Sequence, residues 1–316
     1  MEVIPIDICN EDPAYGRLLC EHLERGNILL LQPTPFIPGL EDCAFLRDQK
    51  QSQSASHKNI AYKPHLRKIT GAAVADQEIA ERMRKILATY SEGALAFLSH
   101  LFPDYAKLWR VDYASFRPVE EQGRNLPLKH RNDLMHLDAF PTRPTHGGRI
   151  LRAFTNIHPE RERVWGTADP FEELAQRYAV DAGLNQVVGF VAESRRRISL
   201  MGRLVGLRAP DRSPYDDFML RFHHYLKSNT EFQQTGQRQT AAFPSGSTWI
   251  SFTDQVAHKA ISGQYALEQT CIIPYKAMFL PELAPVSVLE KIAGRSLISP
   301  RALAAEAKGA AQAVKS

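Results

Sequence analysis

Short stretches of alternating apolar and polar residues lie on both sides of a more helical stretch, and this arrangement constrains the fold most. Such alternation is typical of strands that bury one face. The predicted strands, in chain order, are residues 109–116, 134–138, 149–157, 247–252 and 265–273. The sequence therefore predicts an α+β protein whose strands flank a helical insertion at about residues 160–240.

The strongest helix signal precedes these strands. In residues 76–101 apolar side chains recur at helical spacing, and Pro103 closes the run. We expect one domain over the whole chain, divided as follows: residues 1–104 as a supporting region of helices and strands, 105–290 as the core with its insertion, and 291–316 as a C-terminal helix or tail.

The insertion has two clear helix signals. An Asp-Pro pair at 169–170 predicts a helix that is capped by the aspartate. Residues 214–227 have an apolar stripe that predicts the second helix. His223 and His224 are neighbours on that helix and cannot both face one metal ion, so we expect them to be solvated or to cap the helix.

Composition excludes several classes of protein. The 316 residues are 44% hydrophobic and 23% charged, which argues against global disorder, and a net charge of +4 is too small to indicate a nucleic-acid partner. No stretch approaches the roughly 18 consecutive apolar residues of a membrane span, and we expect no signal peptide. The four cysteines form no CxxC pair, which argues against a zinc ribbon and favours the cytoplasm.

The sequence His136-Leu137-Asp138 carries the clearest chemistry. On a strand, His136 and Asp138 project from the same face, about 7 Å apart at the backbone. They can take two adjacent positions on one metal ion, and His258, which follows a predicted strand, is the best candidate for the third ligand. Two imidazoles and one carboxylate on one face of an octahedron are typical of non-haem Fe(II) oxygenases.

The strand after this tripeptide places Arg152 and Asn156 on one face. If that face is interior, a guanidinium and an amide lie near the metal. A buried arginine is costly unless an anion pairs with it, and a dicarboxylate co-substrate would supply that anion. Arg152 would then bind the carboxylate with two hydrogen bonds.

These segments resemble the Fe(II)/2-oxoglutarate-dependent dioxygenases of the double-stranded β-helix, or jelly-roll, fold. They resemble most closely the bacterial Kdo 3-hydroxylases, which act on lipopolysaccharide. The resemblance covers roughly residues 105–290 and rests on four segments: 134–144 (LMHLDAFPTRP), 148–159 (GRILRAFTNIHP), 164–174 (VWGTADPFEEL) and 243–258 (FPSGSTWISFTDQVAH). It implies a jelly-roll core and iron bound by His136, Asp138 and His258.

The sequence departs from the family pattern at one position. Many members place an arginine or lysine shortly after the second histidine, where it binds the distal carboxylate of 2-oxoglutarate. Here residue 268 is glutamate, and residues 265–273 contain neither basic residue. We therefore expect Arg152 to bind this carboxylate, with Asn156 as a polar contact. Arg149, which a regular strand places on the opposite face, is the second choice.

The resemblance also implies a reaction. Fe(II), 2-oxoglutarate and O2 would hydroxylate carbon 3 of a Kdo sugar in Kdo–lipid A, or in another anionic glycolipid, with release of succinate and CO2. Arg131, just before the His-x-Asp tripeptide, is a candidate substrate contact. Because an acylated substrate lies in a bilayer, we expect a cytoplasmic enzyme that contacts the inner face of the inner membrane transiently.

Two alternatives remain at the level of sequence. The first is a 2-oxoglutarate dioxygenase that acts on another small molecule or on a protein side chain. The second is a cupin-like barrel whose metal serves sugar binding or isomerisation and no oxygen chemistry. Succinate release would separate the substrates, and a visible charge-transfer band with Fe(II) and 2-oxoglutarate would separate the classes.

Overall fold

The computed structural model describes residues 1–52, 59–73, 75–123, 126–189 and 212–298, and these residues form eleven strands and nine α-helices. The strands are β1 (Val3–Pro5), β2 (Ile28–Leu31), β3 (Ile60–Lys63), β4 (Lys68–Thr70), β5 (Arg110–Arg117), β6 (Arg149–Asn156), β7 (Arg163–Thr167), β8 (Gln239–Phe243), β9 (Thr248–Phe252), β10 (His258–Ser262) and β11 (Ala266–Ile273). The helices are α1 (Tyr15–Glu24), α2 (Leu40–Arg47), α3 (Gln77–Leu101), α4 (Pro103–Ala106), α5 (Phe171–Tyr178), α6 (Leu184–Gly189), α7 (Pro214–Ser228), α8 (Thr230–Thr235) and α9 (Pro285–Ala293).

Two sheets of unequal size form the core. The eight-stranded sheet has the order β1-β2-β9-β6-β11-β5-β3-β4, and the three-stranded sheet has the order β10-β7-β8. Every pair is antiparallel except β1 with β2. The predicted α+β jelly-roll class is confirmed, and the first 104 residues supply β1 to β4, so they belong to the large sheet itself.

Aromatic side chains from both sheets fill the space between them. Phe154 of β6 stacks on Trp249 of β9, and Trp165 of β7 meets both rings edge to face. Phe243 of β8 stacks on Trp249 from the small sheet, with ring centroids 4.3 Å apart. Such offset and edge-to-face contacts add to the free energy gained from burying the rings. This layer therefore holds the small sheet in one place over the large one.

Helix α3 packs against the large sheet, as its apolar spacing predicts. The side chain of Asp76 caps it by accepting hydrogen bonds from the first turn. Its buried side chains, among them Met83 and Tyr90, pack with Phe116 of β5. The predicted helix at 76–101 is confirmed.

The helical part of the insertion is shorter than predicted. Strands β7 and β8 occupy the ends of the range 160–240 and pair with each other, which leaves α5 to α8 between them; residues 190–211 lie outside the described part of the chain. Asp169 does not cap α5, because both of its carboxylate oxygens bind Arg238, at 2.6 and 2.8 Å. Helix α7 begins with a complete capping box between Ser213 and Asp216.

Two other predictions concern the C-terminal segment and membrane-spanning helices. Helix α9 ends at Ala293, and most of the predicted C-terminal tail, from residue 299, lies outside the described residues. In the part of the chain that is described, no helix combines the length and apolarity needed to cross a bilayer.

Candidate metal centre

The segment that carries the His-x-Asp tripeptide lies beside the start of β10. The prediction of a strand at 134–138 is wrong, because only a single β-bridge forms, between His136 and His258. In this bridge each backbone N–H donates to the other residue's carbonyl, at 3.0 and 2.9 Å. The N–H of Asp138 donates to the carbonyl of Thr253 at 2.8 Å. These bonds join one edge of the segment to the loop and strand that carry the second histidine.

The three side chains predicted to bind metal converge in the structure. The potential ligand atoms of His136, Asp138 and His258 all lie within 4.8 Å of one another. The Nε2 atom of His136 is 3.7 Å from Oδ1 of Asp138. Both imidazoles are buried, and Trp165 stacks on His258 with ring centroids 4.5 Å apart. The group is therefore held from one side by the aromatic layer between the sheets.

Hydrogen bonds fix the tautomer of each histidine. Nδ1 of His136 lies 2.7 Å from the carbonyl of Leu134, and Nδ1 of His258 lies 2.8 Å from the carbonyl of Val256. A carbonyl oxygen can only accept a hydrogen bond, so each Nδ1 carries the proton. Burial lowers the pKa of both imidazoles, that of His136 strongly. Each Nε2 therefore presents a lone pair, as a metal ligand must.

The carboxylate of the group is ionised. Burial raises the pKa of Asp138, but the Arg152 guanidinium, with smaller contributions from other neighbouring groups, outweighs burial, and the pKa lies well below its ordinary value. Nη1 of Arg152 lies 2.9 Å from Oδ2 of Asp138. Even so, Oδ2 of Asp138 and Nε of Arg152 have no hydrogen-bond partner among the described residues. The carboxylate thus keeps acceptor capacity for a cation, and the guanidinium keeps a donor for an anion.

A cavity opens beside the three candidate ligands. The described residues that line it are Arg117, Asn132, His136, Asp138, Arg152, Phe154, Arg163, Trp165, His258 and Ala260. Three of them are arginines from three different strands, β5, β6 and β7. Each arginine is paired with an acidic side chain, either Asp138 at the cavity or Glu268 and Glu121 behind its wall.

The ion pairs of this wall are short. Nη2 of Arg117 lies 2.6 Å from Oε2 of Glu268, and Nε of Arg152 lies 3.3 Å from Oε1 of the same side chain. Nη2 of Arg163 lies 3.3 Å from Oε1 of Glu121. The two arginines on Glu268 outweigh the effect of its burial and lower its pKa to about 2. Glu268 therefore contacts two guanidinium groups, at a position where the family resemblance leads us to look for a basic residue.

Sequence reasoning missed Arg163 and did not assign Arg117 to the cavity. Arg163 packs against Gly263, which has a φ of 136°. A Cβ at Gly263 would lie 2.5 Å from Cγ of Arg163, so only glycine lets the arginine pack there and donate to the Gly263 carbonyl at 3.1 Å. Nothing in the sequence alone relates position 163 to position 263.

The other predicted contacts lie elsewhere. The side-chain amide of Asn156 donates to the carbonyls of Arg161 and Phe243, and its oxygen accepts from the N–H of His158, so the geometry does not support its predicted role as a co-substrate contact. Arg131 forms a two-pronged ion pair with Asp133 and does not line the cavity. Of the predicted contacts beyond the metal ligands, only Arg152 borders the cavity.

The expectation for His223 is wrong. Its imidazole is buried, and its Nδ1 lies 2.6 Å from the carbonyl of Leu137, the middle residue of the tripeptide. Its ring meets the ring of His136 at a centroid distance of 5.0 Å. The helix therefore uses His223 in packing against the ligand-bearing segment.

The residues present fit a divalent cation. They offer two neutral imidazole nitrogens and one ionised carboxylate, all from buried or half-buried side chains. Imidazole with carboxylate and no thiolate suits Fe(II) in an open, facial site better than a closed zinc site. The hydrogen bonds at both Nδ1 atoms are the outer contacts that such ligands require.

Comparison with known proteins matches almost the whole chain. A family model described as 3-deoxy-D-manno-oct-2-ulosonic acid (Kdo) hydroxylase matches residues 9–296. No curated protein matches the chain.

Solved structures of the Kdo hydroxylase KdoO, described as a non-heme Fe(II) alpha-ketoglutarate-dependent dioxygenase, are similar in sequence and fold. The apo structure is 31% identical with a TM-score of 0.81, and the complex with alpha-ketoglutarate and Fe(III) is 32% identical with a TM-score of 0.79. The complex with cobalt(II) is 32% identical with a TM-score of 0.81. Each match covers 94% of this chain and 98% of the other.

Proposed function

This chain belongs to the Kdo hydroxylase family, and from that premise we propose that it hydroxylates carbon 3 of a Kdo sugar in Kdo–lipid A. As a family member it is an Fe(II)- and 2-oxoglutarate-dependent dioxygenase that acts on Kdo-containing lipopolysaccharide. The cupin-like alternative without oxygen chemistry is thereby excluded. The position of the hydroxylated carbon and the residue roles below are our proposal.

The observation that carries the residue assignment is the convergence of three ligand side chains from distant parts of the chain. We assign His136, Asp138 and His258 as the iron ligands, because their donor atoms lie within 4.8 Å of one another and have the protonation states that a metal needs. When bound there, iron supplies the activation of O2 that lets the enzyme hydroxylate an unactivated C–H bond.

The charges of the wall support binding of 2-oxoglutarate beside the metal. Three arginines of the cavity face three carboxylates, those of Asp138, Glu268 and Glu121, so the charges of these six groups balance one another. A divalent cation adds two positive charges to this balance, and the dianion of 2-oxoglutarate cancels them. Buried charge without such compensation is costly. The wall therefore favours cation and dianion together over either alone.

Arg152 is the proposed anchor for the distal carboxylate of 2-oxoglutarate. It borders the cavity and is almost fully buried, and its Nε, although 3.3 Å from Oε1 of Glu268, makes no hydrogen bond with the described residues. A guanidinium binds a carboxylate through two parallel hydrogen bonds and so fixes its direction. The buried rings of Phe154 and Trp165 on the same wall keep water from the reacting groups.

The substrate implies a place of action. Kdo–lipid A is acylated and anionic, so its reactive sugar lies close to a bilayer surface. We propose that the enzyme works in the cytoplasm and contacts the inner face of the inner membrane transiently. Arg131, which is partly exposed beside Asp133, remains our candidate for a contact with an acidic group of the substrate.

A turnover assay tests this proposal. Protein supplied with Fe(II), 2-oxoglutarate and O2 should release succinate when Kdo–lipid A is added, and mass spectrometry should find one added oxygen on Kdo, at carbon 3. Simple acids should support far less succinate release. Asp138→Ala should abolish product, since it removes the carboxylate ligand. Equal turnover of simple acids would favour the alternative of another small-molecule substrate.

A further inference from the structure

The ligand-bearing segment, residues 135–138, bonds to the core through one edge of its backbone. Its other edge bonds to side chains of the helical insertion. The N–H of Met135 donates to Oε1 of Gln233 at 2.9 Å, and Nε2 of Gln233 donates to the carbonyl of Met135 at 2.9 Å. Nδ1 of His223 donates to the carbonyl of Leu137 at 2.6 Å. Alternate residues of an extended chain present their backbone groups to opposite edges. His136 and Asp138 therefore bond through their backbone to the core, and the residues on either side of His136 bond to the insertion.

The Gln233 amide takes the place of a neighbouring strand. It offers one acceptor and one donor to Met135, as a paired backbone residue would. The same Nε2 also donates to the carbonyl of Leu226, at 2.7 Å, near the end of α7. The amide is therefore fixed at three points, and it bonds both polar backbone groups of a residue that is only 1% exposed.

Side-chain packing acts in the same direction. Met135 and Leu137 lie in one buried cluster with Phe218, Phe222 and Phe232, which belong to α7 and α8. The residues that flank His136 are thus held by the insertion through both their backbone and their side chains. A shift of α7 or α8 would move the tripeptide relative to His258, which is fixed in the core.

We propose that Gln233 and His223 are positioning residues for the metal centre. They hold the free edge of residues 135–137 so that His136 and Asp138 meet His258 at one ion. This inference rests on the proposed function, since it takes those three side chains as the ligands. It assigns to the insertion a role in metal affinity, in addition to any contact with substrate.

The test compares Gln233→Ala with Gln234→Ala. Gln234 is the next residue on α8 and is exposed, so it is a control of the same type on the same helix. We expect Gln233→Ala to raise the dissociation constant for Co(II) by about 10-fold, the lower end of the effect of removing an outer contact of a metal ligand, because Gln233 bonds the residue before His136. Gln234→Ala should bind Co(II) as the unaltered protein does. Visible absorption of bound Co(II) measures both.

Two variants at His223 test the inference even if Gln233→Ala does not fold. His223→Asn retains an amide N–H near the place of Nδ1, whereas His223→Ala has no donor there. We expect the asparagine variant to keep most of the Co(II) affinity and the alanine variant to lose it. Equal affinity in these two, together with an unchanged dissociation constant in a folded Gln233→Ala, would overturn the inference and leave these residues as ordinary packing.

His136→Ala separates this inference from the proposed function. We expect that variant to lose Co(II) binding altogether. If it bound Co(II) with native affinity, the ligand assignment itself would fail, and the inference would fall with it. If it lost binding while Gln233→Ala and His223→Ala did not change the dissociation constant, only the positioning role would be wrong.

Discussion

Arg152 contacts the proposed ligand Asp138 on one side and Glu268 on the other, and it borders the cavity. A guanidinium in this position has two effects. It keeps the carboxylate ionised, and it leaves a charged donor for an anion. Because Arg117 and Arg163 border the same cavity, substitution of single arginines must show which one binds the distal carboxylate of 2-oxoglutarate.

We predict that Arg152→Ala raises the KM for 2-oxoglutarate by about 10- to 100-fold, since a hydrogen bond to a charged group contributes about 1.5–3 kcal/mol. The KM for the Kdo substrate should change far less. Steady-state succinate release with each substrate varied in turn measures both constants.

The same substitution at Arg117 is the control for that prediction. Arg117 lines the cavity and shares Glu268 with Arg152, so its loss disturbs the wall without removing the proposed anchor. A larger rise of the 2-oxoglutarate KM in Arg117→Ala would transfer the role to that arginine. An equal rise in the KM of both substrates in Arg152→Ala would mean that it is not a specific anchor.

At the scale of the elements, the turn between β9 and β10 fixes the position of His258, the first residue of β10. Arg149 of β6 is fully buried and its Nε donates to Asp254 at 2.8 Å. The other oxygen of Asp254 accepts from the N–H of Ile150 at 3.1 Å. Gln255 accepts a further bond from the same guanidinium and donates to the carbonyl of Glu24. The turn is therefore tied to the large sheet through buried polar groups.

We predict that Arg149→Met lowers the free energy of unfolding by about 3–5 kcal/mol, because it leaves Asp254 buried without its partner. Denaturant unfolding of the metal-free protein measures the loss. Arg238→Met is the matched control: its ion pair with Asp169 is exposed, and its removal should cost about 0–1 kcal/mol. Similar losses in the two variants would contradict a special role for the turn.

At the scale of the whole molecule, the buried histidines make the folding stability depend on pH. Burial lowers the pKa of His223 to about 3 and also lowers the pKa of His136 and of His258. In the unfolded chain each imidazole takes up a proton near its ordinary value of about 6.5. Below that pH the unfolded state holds more protons than the folded state, so folding stability decreases as the pH falls.

We predict that the melting temperature of the protein in chelator falls from pH 7 to pH 5. For His223 alone the slope of the unfolding free energy approaches about 1.4 kcal/mol per pH unit between about pH 6 and about pH 4. His223→Asn removes that group and should make the slope shallower. Scanning calorimetry across this range measures it, and a melting temperature that stays constant down to pH 5 would contradict the buried neutral state of these histidines.

The amino-acid sequence by itself determined which side chains are the candidates for the chemistry. His136, Asp138 and His258 have the donor types of an iron site, and strand alternation put Arg152 and Asn156 on one face of the strand that follows the tripeptide. Alternation is a local property, so it is readable without the fold. It does not say where along a strand the site ends: Asn156 shares the parity of Arg152 but lies about 13 Å farther along β6.

Only the tertiary structure decided what surrounds those ligands. Arg117 and Arg163 come to the cavity from strands in different sheets, and their register depends on pairing between residues far apart in the chain. Residues 135–137 are extended, and the edge of this segment that faces the insertion is bonded by the side chains of Gln233 and His223 and not by a strand of the described residues. Such contacts follow from the packing of one element on another, and packing is decided by the whole chain.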